Sequence, residues 1–248
     1  MPILGIQNKQ KMAKTRRFYI KQRIYEGKVR LEGDEIRHFR VLRLKKGDQV
    51  EVLNSQGEYG LGTIKKAGLK EVEIDIQQIG KVRRSPILRV LACCAPKNKR
   101  FDMLLQKTTE LGIDEFIPII SKRSVVKPSE TKINRLKKII IEAAKQSGRN
   151  SIPKLNSAIT VEKLMDLTKE YDLKIILDLK GKKIKEVIKG VKCKKIICLI
   201  GPEGGFTDEE IKLAKKNGFK TASLGSNILR VETAGIVVLS TINYEFNC

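Results

Sequence analysis

Residues 194–219 read KKIICLIGPEGGFTDEEIKLAKKNGF. An apolar run stops in G-P-E-G-G and a helix pattern starts at once. Glycine lets a backbone turn sharply and lets a flat ligand approach main-chain groups, and Pro202 stiffens the turn. Strand, glycine loop and helix together make a cradle. Yet this loop carries Glu203 and opens onto Asp208, Glu209 and Glu210, which repel a phosphate. Thr207 and Glu210 stand at capping-box spacing, T-D-E-E, and the carboxylates complement the helix dipole. A terminus neutralised in this way is a poor phosphate site. The P-loop pattern is absent, as is G-x-G-x-x-G after a strand. ATP, GTP and a Rossmann-bound dinucleotide all lose ground.

Gly201, Gly204 and Gly205 suit a ligand with an adenine ring, no phosphate and a positive centre. S-adenosylmethionine has those properties. A plain tight β–α turn is the alternative. A second loop repeats the theme. Residues 223–242, SLGSNILRVETAGIVVLSTI, run from a strand through glycine into an apolar helix. Ile228, Leu229 and Val231 precede Thr233 and Ala234. Apolar residues beside a strand end can sandwich an aromatic base, or they can plug the core. Arg230 lies among them, where a charge needs a partner or a substrate.

These loops need a scaffold. From residue 87 onward strand and helix patterns alternate. Strands are expected over 87–95, 114–120, 174–179, 195–200 and 220–224. Helices are expected over 99–111, 130–147, 161–170, 182–189, 208–217 and 231–245. In the helix at 130–147, Ile133, Leu136, Ile140, Ala143 and Ala144 share a face, Ser129 can cap its start, and Gly148 can end it. Alternation of this kind predicts a largely parallel sheet covered on both faces. Such sheets hold ligands at the carboxyl ends of their strands, which singles out the loops after Leu179, Ile200 and Leu224.

Residues 16–80 read differently. RRFYI, KVRLEG, GDQVEVLNS, EYGLGTIKKA and KEVEIDIQQIG alternate apolar and polar residues between Gly and Asn turns. Asp34 can cap a short helix, EIRHFRVLR. Several short strands with one helix predict a small, partly closed barrel. Gly60-x-Gly62 falls inside a hairpin-like segment and reads as turn chemistry. Residues 81–86, KVRRSP, read as a linker, and residues 1–15 as an N-terminal extension, with Met12 a possible alternative start.

The 248 residues carry 51 Lys+Arg against 28 Asp+Glu, a formal net charge of +23. The excess is spread along the chain and attracts polyanions, nucleic acid first; a solubilising surface is the plainer reading. Aromatics are only 5%, with no tryptophan, which argues against broad stacking platforms for single strands. The apolar runs are too short to cross a membrane, and the start lacks the apolar stretch of a secretory signal. The five cysteines, Cys93, Cys94, Cys193, Cys198 and Cys248, have no C-x-x-C spacing and read as reduced, buried thiols of a cytoplasmic protein. With one histidine and no ligand cluster, no metal is expected.

LIGPEGGFTDEEI followed by LGSNILRVETA resembles the RsmE family of bacterial ribosomal RNA methyltransferases, within the SPOUT superfamily. The resemblance extends through KNKRFDMLLQKTTELG, ISKRSVVK and EAAKQSGRNSIP, and back to RRFYI, so it spans the chain from Arg16. It implies an α/β domain with a trefoil knot over 87–248, preceded by a PUA-like β-barrel over 16–80 that grips RNA. It implies a homodimer whose sites lie near the subunit boundary. The reaction it implies is S-adenosylmethionine-dependent methylation of N3 of a uridine in small-subunit ribosomal RNA, free or in the assembled subunit. By motif, the cofactor residues are Leu179, Ile200, Gly201, Pro202, Glu203, Gly204, Gly205, Leu224, Gly225, Ile228, Leu229, Thr233 and Ala234. A SPOUT enzyme acting on another base or on ribose, or a non-catalytic ribosome-assembly protein, are the alternatives.

N3 of uridine is a poor nucleophile until its proton leaves. Arg230 stays protonated and so suits stabilisation of the developing anion. Glu232 is the candidate base, or else a helix cap. His38 reads as a surface or packing residue. Arg16, Arg17, Lys97, Lys99, Arg100, Arg123 and Arg149 lie in the matching segments and as a set suit phosphate contact. Singly, each reads as a solvated charge.

Overall fold

The computed structural model describes residues 16–82, 85–97, 99–125 and 130–246. The N-terminal extension, residues 83 and 84 of the 81–86 linker, Ser129 and Cys248 lie outside the described residues. The chain forms two compact units, and the first takes in Ala144–Ile152 as well as the N-terminal residues.

In the first unit β1 (Arg16–Tyr19), β2 (Gly27–Leu31), β3 (Gln49–Leu53), β4 (Glu58–Ala67) and β5 (Val72–Lys81) form one sheet in the order β1-β3-β4-β5-β2. Only β1 pairs parallel, with β3. The alternation seen in the sequence puts Val29, Val50, Val52, Ile64, Val72, Ile74 and Ile76 inside with Phe18 and Phe39. Each such side chain stabilises the fold by about 1.5–3 kcal/mol. Helix α1 (Asp34–Val41) begins after Gly33, which takes the cap position; Asp34 is the first helical residue, not the cap. Gly60 and Gly62 are not turn residues. They sit inside β4, where a Cβ at Gly60 would come within 2.9 Å of Ile24 and Ile76, and one at Gly62 within 2.6 Å of the Asp75 carbonyl. A register shift between Leu61 and Gly62 marks a bulge there.

The second unit holds β6 (Leu88–Cys94), β7 (Glu115–Ile120), β8 (Lys154–Leu155), β9 (Ile159–Thr160), β10 (Leu173–Lys183), β11 (Lys195–Ile200) and β12 (Lys220–Ser223). Their order is β12-β10-β11-β6-β7-β8, with β9 also on β7. Every pairing is parallel. Strands buried on both faces read as unbroken apolar runs, as LRVLACC and KIICLI do. The helices are α2 (Lys99–Glu110), α3 (Glu130–Gln146), α4 (Val161–Leu167), α5 (Ile184–Ile188), α6 (Asp208–Lys216) and α7 (Val231–Phe246). Gly148, at φ 75°, follows the end of α3, whose last residues belong to the first unit. Val90, Ala92 and Cys94 face a core with Val161 and Leu164 of α4 and Ala214 of α6. The opposite face takes α2 and α7. Gly235 of α7 touches Leu104 of α2 so closely that a Cβ would collide with it.

Candidate functional site

Because β10, β11 and β12 are parallel neighbours, their carboxyl ends share one edge of the sheet. The three loops singled out in the sequence therefore leave the same edge. The first is not a loop after a strand. Leu177 and Lys182 both pair with Ala222, so Asp178–Gly181 form a four-residue excursion inside β10. Asp178 Oδ1 accepts the Lys180 N–H at 2.8 Å and shapes it. Leu179 projects at 53% exposure. A Cβ on Gly181 would meet the Ala222 backbone at 2.6 Å, so only glycine brings the excursion back to the sheet. Asp178 and Gly181 were not singled out in the sequence; D-x-x-G beside a strand end was the available signal.

The second loop follows Ile200. Gly205 has φ 69°, and its N–H reaches the Pro202 carbonyl at 2.9 Å, closing a tight turn. Phe206 is buried and folds back beneath Gly201, where a Cβ would lie 3.1 Å from the ring. The capping box is present. Thr207 Oγ1 accepts the Glu210 N–H at 3.3 Å, and Glu210 Oε2 accepts the Thr207 N–H at 2.9 Å. Glu210 Oε1 also accepts the Lys122 N–H at 2.8 Å, so this buried carboxylate ties β11–α6 to the segment after β7. The positive end of α6 is occupied by the protein itself.

The third loop runs from Ser223 to Arg230. Ser223 Oγ accepts the Gly225 N–H at 3.2 Å, and Gly225 has φ 141°. Leu224 and Leu229 are half-buried, and Ile228 stands out at 80% exposure. Val231 is not a loop residue: it opens α7 and is buried. The Arg230 carbonyl accepts the Ala234 N–H at 2.9 Å, starting the helix, while its side chain is exposed. Thr233 is exposed and Ala234 buried.

Between these loops lies a cluster of charge. Arg100 Nη1 is 3.9 Å from Glu203 Oε1, and Arg100 Nε is 3.9 Å from Glu232 Oε1. Glu232 is buried, and its Oε2 has no hydrogen-bond partner among the described residues. Burial pushes the Cys93 thiol well up, with Cys94, Glu203 and Glu232 adding to it, so this cysteine stays a thiol. Arg123 Nη1 donates to the Gly204 carbonyl at 2.8 Å. Among the described residues no group of His, Cys, Asp and Glu could hold a metal ion.

The basic residues expected at RNA separate. Arg16 and Arg149 belong to the first unit, and Lys97, Lys99, Arg100 and Arg123 to the second. Arg16, Lys97, Lys99, Arg100 and Arg123 are exposed and Arg149 is half-buried. Arg17 does not fit the expectation. It is 8% exposed, lies 2.7 Å from the fully buried Glu51, and donates to the Arg149 carbonyl at 3.0 Å and to Asn150 at 2.6 Å. Its charge serves the interior. His38 packs against Phe18 at 5.5 Å and meets Lys145 at 2.9 Å in the first unit.

Residues 83–243 match an RNA methyltransferase domain, and residues 31–77 an RNA methyltransferase PUA domain. The ribosomal RNA small subunit methyltransferase E of Bacillus subtilis is 30% identical over 91% of this chain and 93% of its own length. That of Aquifex aeolicus is 31% identical over 91% and 97%. The chain belongs to the RsmE family. Its fold follows as well. The RsmE structure from Neisseria gonorrhoeae, bound to S-adenosyl methionine, has a TM-score of 0.85 at 27% identity, covering 93% of this chain and 97% of that one. A Legionella pneumophila methyltransferase with bound SAM has a TM-score of 0.84 at 32% identity, covering 93% and 98%. An RsmE chain thus carries a PUA domain ahead of an α/β methyltransferase domain, and both are present here.

Proposed function

We propose that this protein transfers a methyl group from S-adenosylmethionine to N3 of a uridine in small-subunit ribosomal RNA. The observation that carries the reading is the acid-capped glycine loop, set between two other loops at one edge of a parallel sheet. Exposed Leu179 and Ile228 offer apolar surface for an adenine, which a phosphate-binding site would not need. Glu203 and Glu232 supply negative charge suited to a cationic sulfonium.

The cofactor residues are Leu179, Ile200–Gly205, Leu224, Gly225, Ile228, Leu229, Thr233 and Ala234. When bound, S-adenosylmethionine supplies an electrophilic methyl group. The protein's own task is to remove the N3 proton and hold the resulting anion. Glu232 has a buried, unpartnered oxygen suited to accept that proton. Arg230 is exposed, so its contribution to a water-poor site depends on RNA closing over it. The alignment of N3 with the methyl group does the rest. The PUA domain grips the RNA; the enzyme works as a cytoplasmic homodimer; and the methyltransferase domain carries a trefoil knot, for which the crossing from β11 past β10 to β12 gives room. The substrate is the rRNA, free or within the small subunit, and no metal takes part.

Calorimetric titration with S-adenosylhomocysteine, with ATP as control, tests the site. The first should bind and the second should not; binding of ATP alone would overturn the reading. Mass spectrometry of rRNA nucleosides after reaction should then find 3-methyluridine. Methylation at another atom would retain the cofactor assignment and refute N3.

A further inference from the structure

Residues 180–189 read KGKKIKEVIK, and they leave the cofactor edge directly: Lys180 lies in the β10 excursion beside Leu179. Lys180, Lys182, Lys183, Lys185 and Lys189 are all exposed. None forms an ion pair among the described residues, whereas Lys107, Lys154 and Lys195 of the same unit are each paired with a glutamate. Asp178 and Glu186 offset only part of the charge of these five lysines. Asp178 Oδ1 is engaged by the Lys180 backbone N–H at 2.8 Å. Glu186 is exposed and forms no ion pair among the described residues.

Five exposed lysines fall within ten residues, and so dense a run of ammonium groups gains most from a polyanion. A compact anion would satisfy one or two of them; a chain of phosphodiesters spaced along the ridge satisfies them all and releases its counterions. A second copy of this chain is a poor occupant, because its formal charge is also +23. Meanwhile Arg17 is withdrawn into the first unit, and Arg100 faces Glu203 and Glu232. The basic set expected to hold the RNA is thereby thinned.

We infer that Lys180, Lys182, Lys183 and Lys185, with Lys189 beyond them, form a docking ridge for the RNA backbone next to the methylated nucleotide. The ridge rests on the reading of RNA as substrate. Its position gives it a particular duty. Phosphates seated there run from the tip that carries Leu179, so they set the register of the target nucleotide against the cofactor loops.

The test compares full-length K180E/K182E/K183E/K185E with K212E/K215E/K216E, a charge reversal of exposed lysines on α6. Binding to an unmodified small-subunit rRNA transcript is followed across a potassium chloride series. At about 0.7–0.9 per phosphate contact, the slope of log affinity on log salt should shrink by about 3 for the ridge variant and stay near wild type for the control. Equal losses in both would mean that net charge alone matters, and no loss in the ridge variant would also overturn the inference. S-adenosylhomocysteine titration of each variant should match wild type. If the reversed ridge fails that check, the uncharged K180Q/K182Q/K183Q/K185Q replaces it with the same expectation. A wild-type protein that binds the transcript but not S-adenosylhomocysteine would refute the cofactor reading and leave the ridge standing.

Discussion

Glu232 Oε1 lies 3.9 Å from Arg100 Nε, while Glu232 Oε2, on the same buried carboxylate, has no hydrogen-bond partner among the described residues. A buried charge held by one long ionic contact is costly. A carboxylate kept in that state at the carboxyl edge of the sheet has an oxygen to spare for a donor that arrives with the substrate. The imide N3–H of uridine is such a donor.

Glu232→Gln should therefore lower the single-turnover rate of methyl transfer by about 10²–10⁴-fold, the usual worth of a general base, with S-adenosylhomocysteine affinity unchanged. Transcripts containing 5-fluorouridine, whose N3 proton is more acidic, should recover part of the loss. A purely structural glutamate would give a deficit that is the same for both transcripts.

Arg230 stands two residues earlier, exposed, its carbonyl accepting the Ala234 N–H of α7. Its guanidinium is free to meet the uridine O2 or O4 as negative charge grows there. Arg230→Ala should reduce turnover by about 10²–10³-fold and change cofactor affinity little. The assignment is wrong if the variant chiefly weakens S-adenosylhomocysteine binding.

Two glycines separate site from scaffold. A Cβ at Gly204 would meet nothing closer than Arg123 Cδ at 3.6 Å, an ordinary contact. Gly204→Val should fold normally, with a wild-type melting temperature, yet lose S-adenosylhomocysteine binding in calorimetry because the added methyls fill the cradle. At Gly235 a Cβ would collide with Leu104 and approach Leu91 Cδ2 to 3.4 Å. Gly235→Val should destabilise by about 1–3 kcal/mol through overpacking, read from urea unfolding. A Gly204 variant that binds normally would remove this loop from the cofactor site.

Much of the second unit was legible because its central strands β6, β7 and β11 are nearly continuous apolar runs and helices α2, α3 and α6 each carry a regular apolar face. KIICLI became β11 residue for residue, and the helix expected at 99–111 is Lys99–Glu110. Two-residue strands such as β8 and β9 carry no period and were invisible. The capping box could be read because both partners lie within one turn. The pairing of Arg100 with Glu203 and Glu232 could not, since it joins three separate elements. In RRFYI, alternation does not say which arginine turns inward. Glu51, which decides it, sits on the neighbouring strand with Val50 and Val52.

That pair gives a pH-dependent prediction. Burial, the larger effect, raises the Glu51 carboxyl above its ordinary 4.5, and Arg17 pulls against it. Arg17 Nη2 lies 2.7 Å from Glu51 Oε2, and its charge, with a hydrogen bond, opposes the effect of burial. Arg17→Ala strands a buried carboxylate and should cost about 3–5 kcal/mol at pH 7, against less than about 0.5 kcal/mol for exposed Arg16→Ala. Without Arg17 the folded carboxyl rises further. A carboxyl raised by folding contributes stability that is complete below its unfolded value and is lost as pH rises through its folded value. The deficit of Arg17→Ala relative to wild type should therefore narrow as the pH is brought down from 7 into the range where Glu51 protonates. Urea unfolding at both ends of that range decides it; a deficit that does not change with pH would mean that the lost hydrogen bonds to Arg149 and Asn150, not the stranded charge, account for the instability.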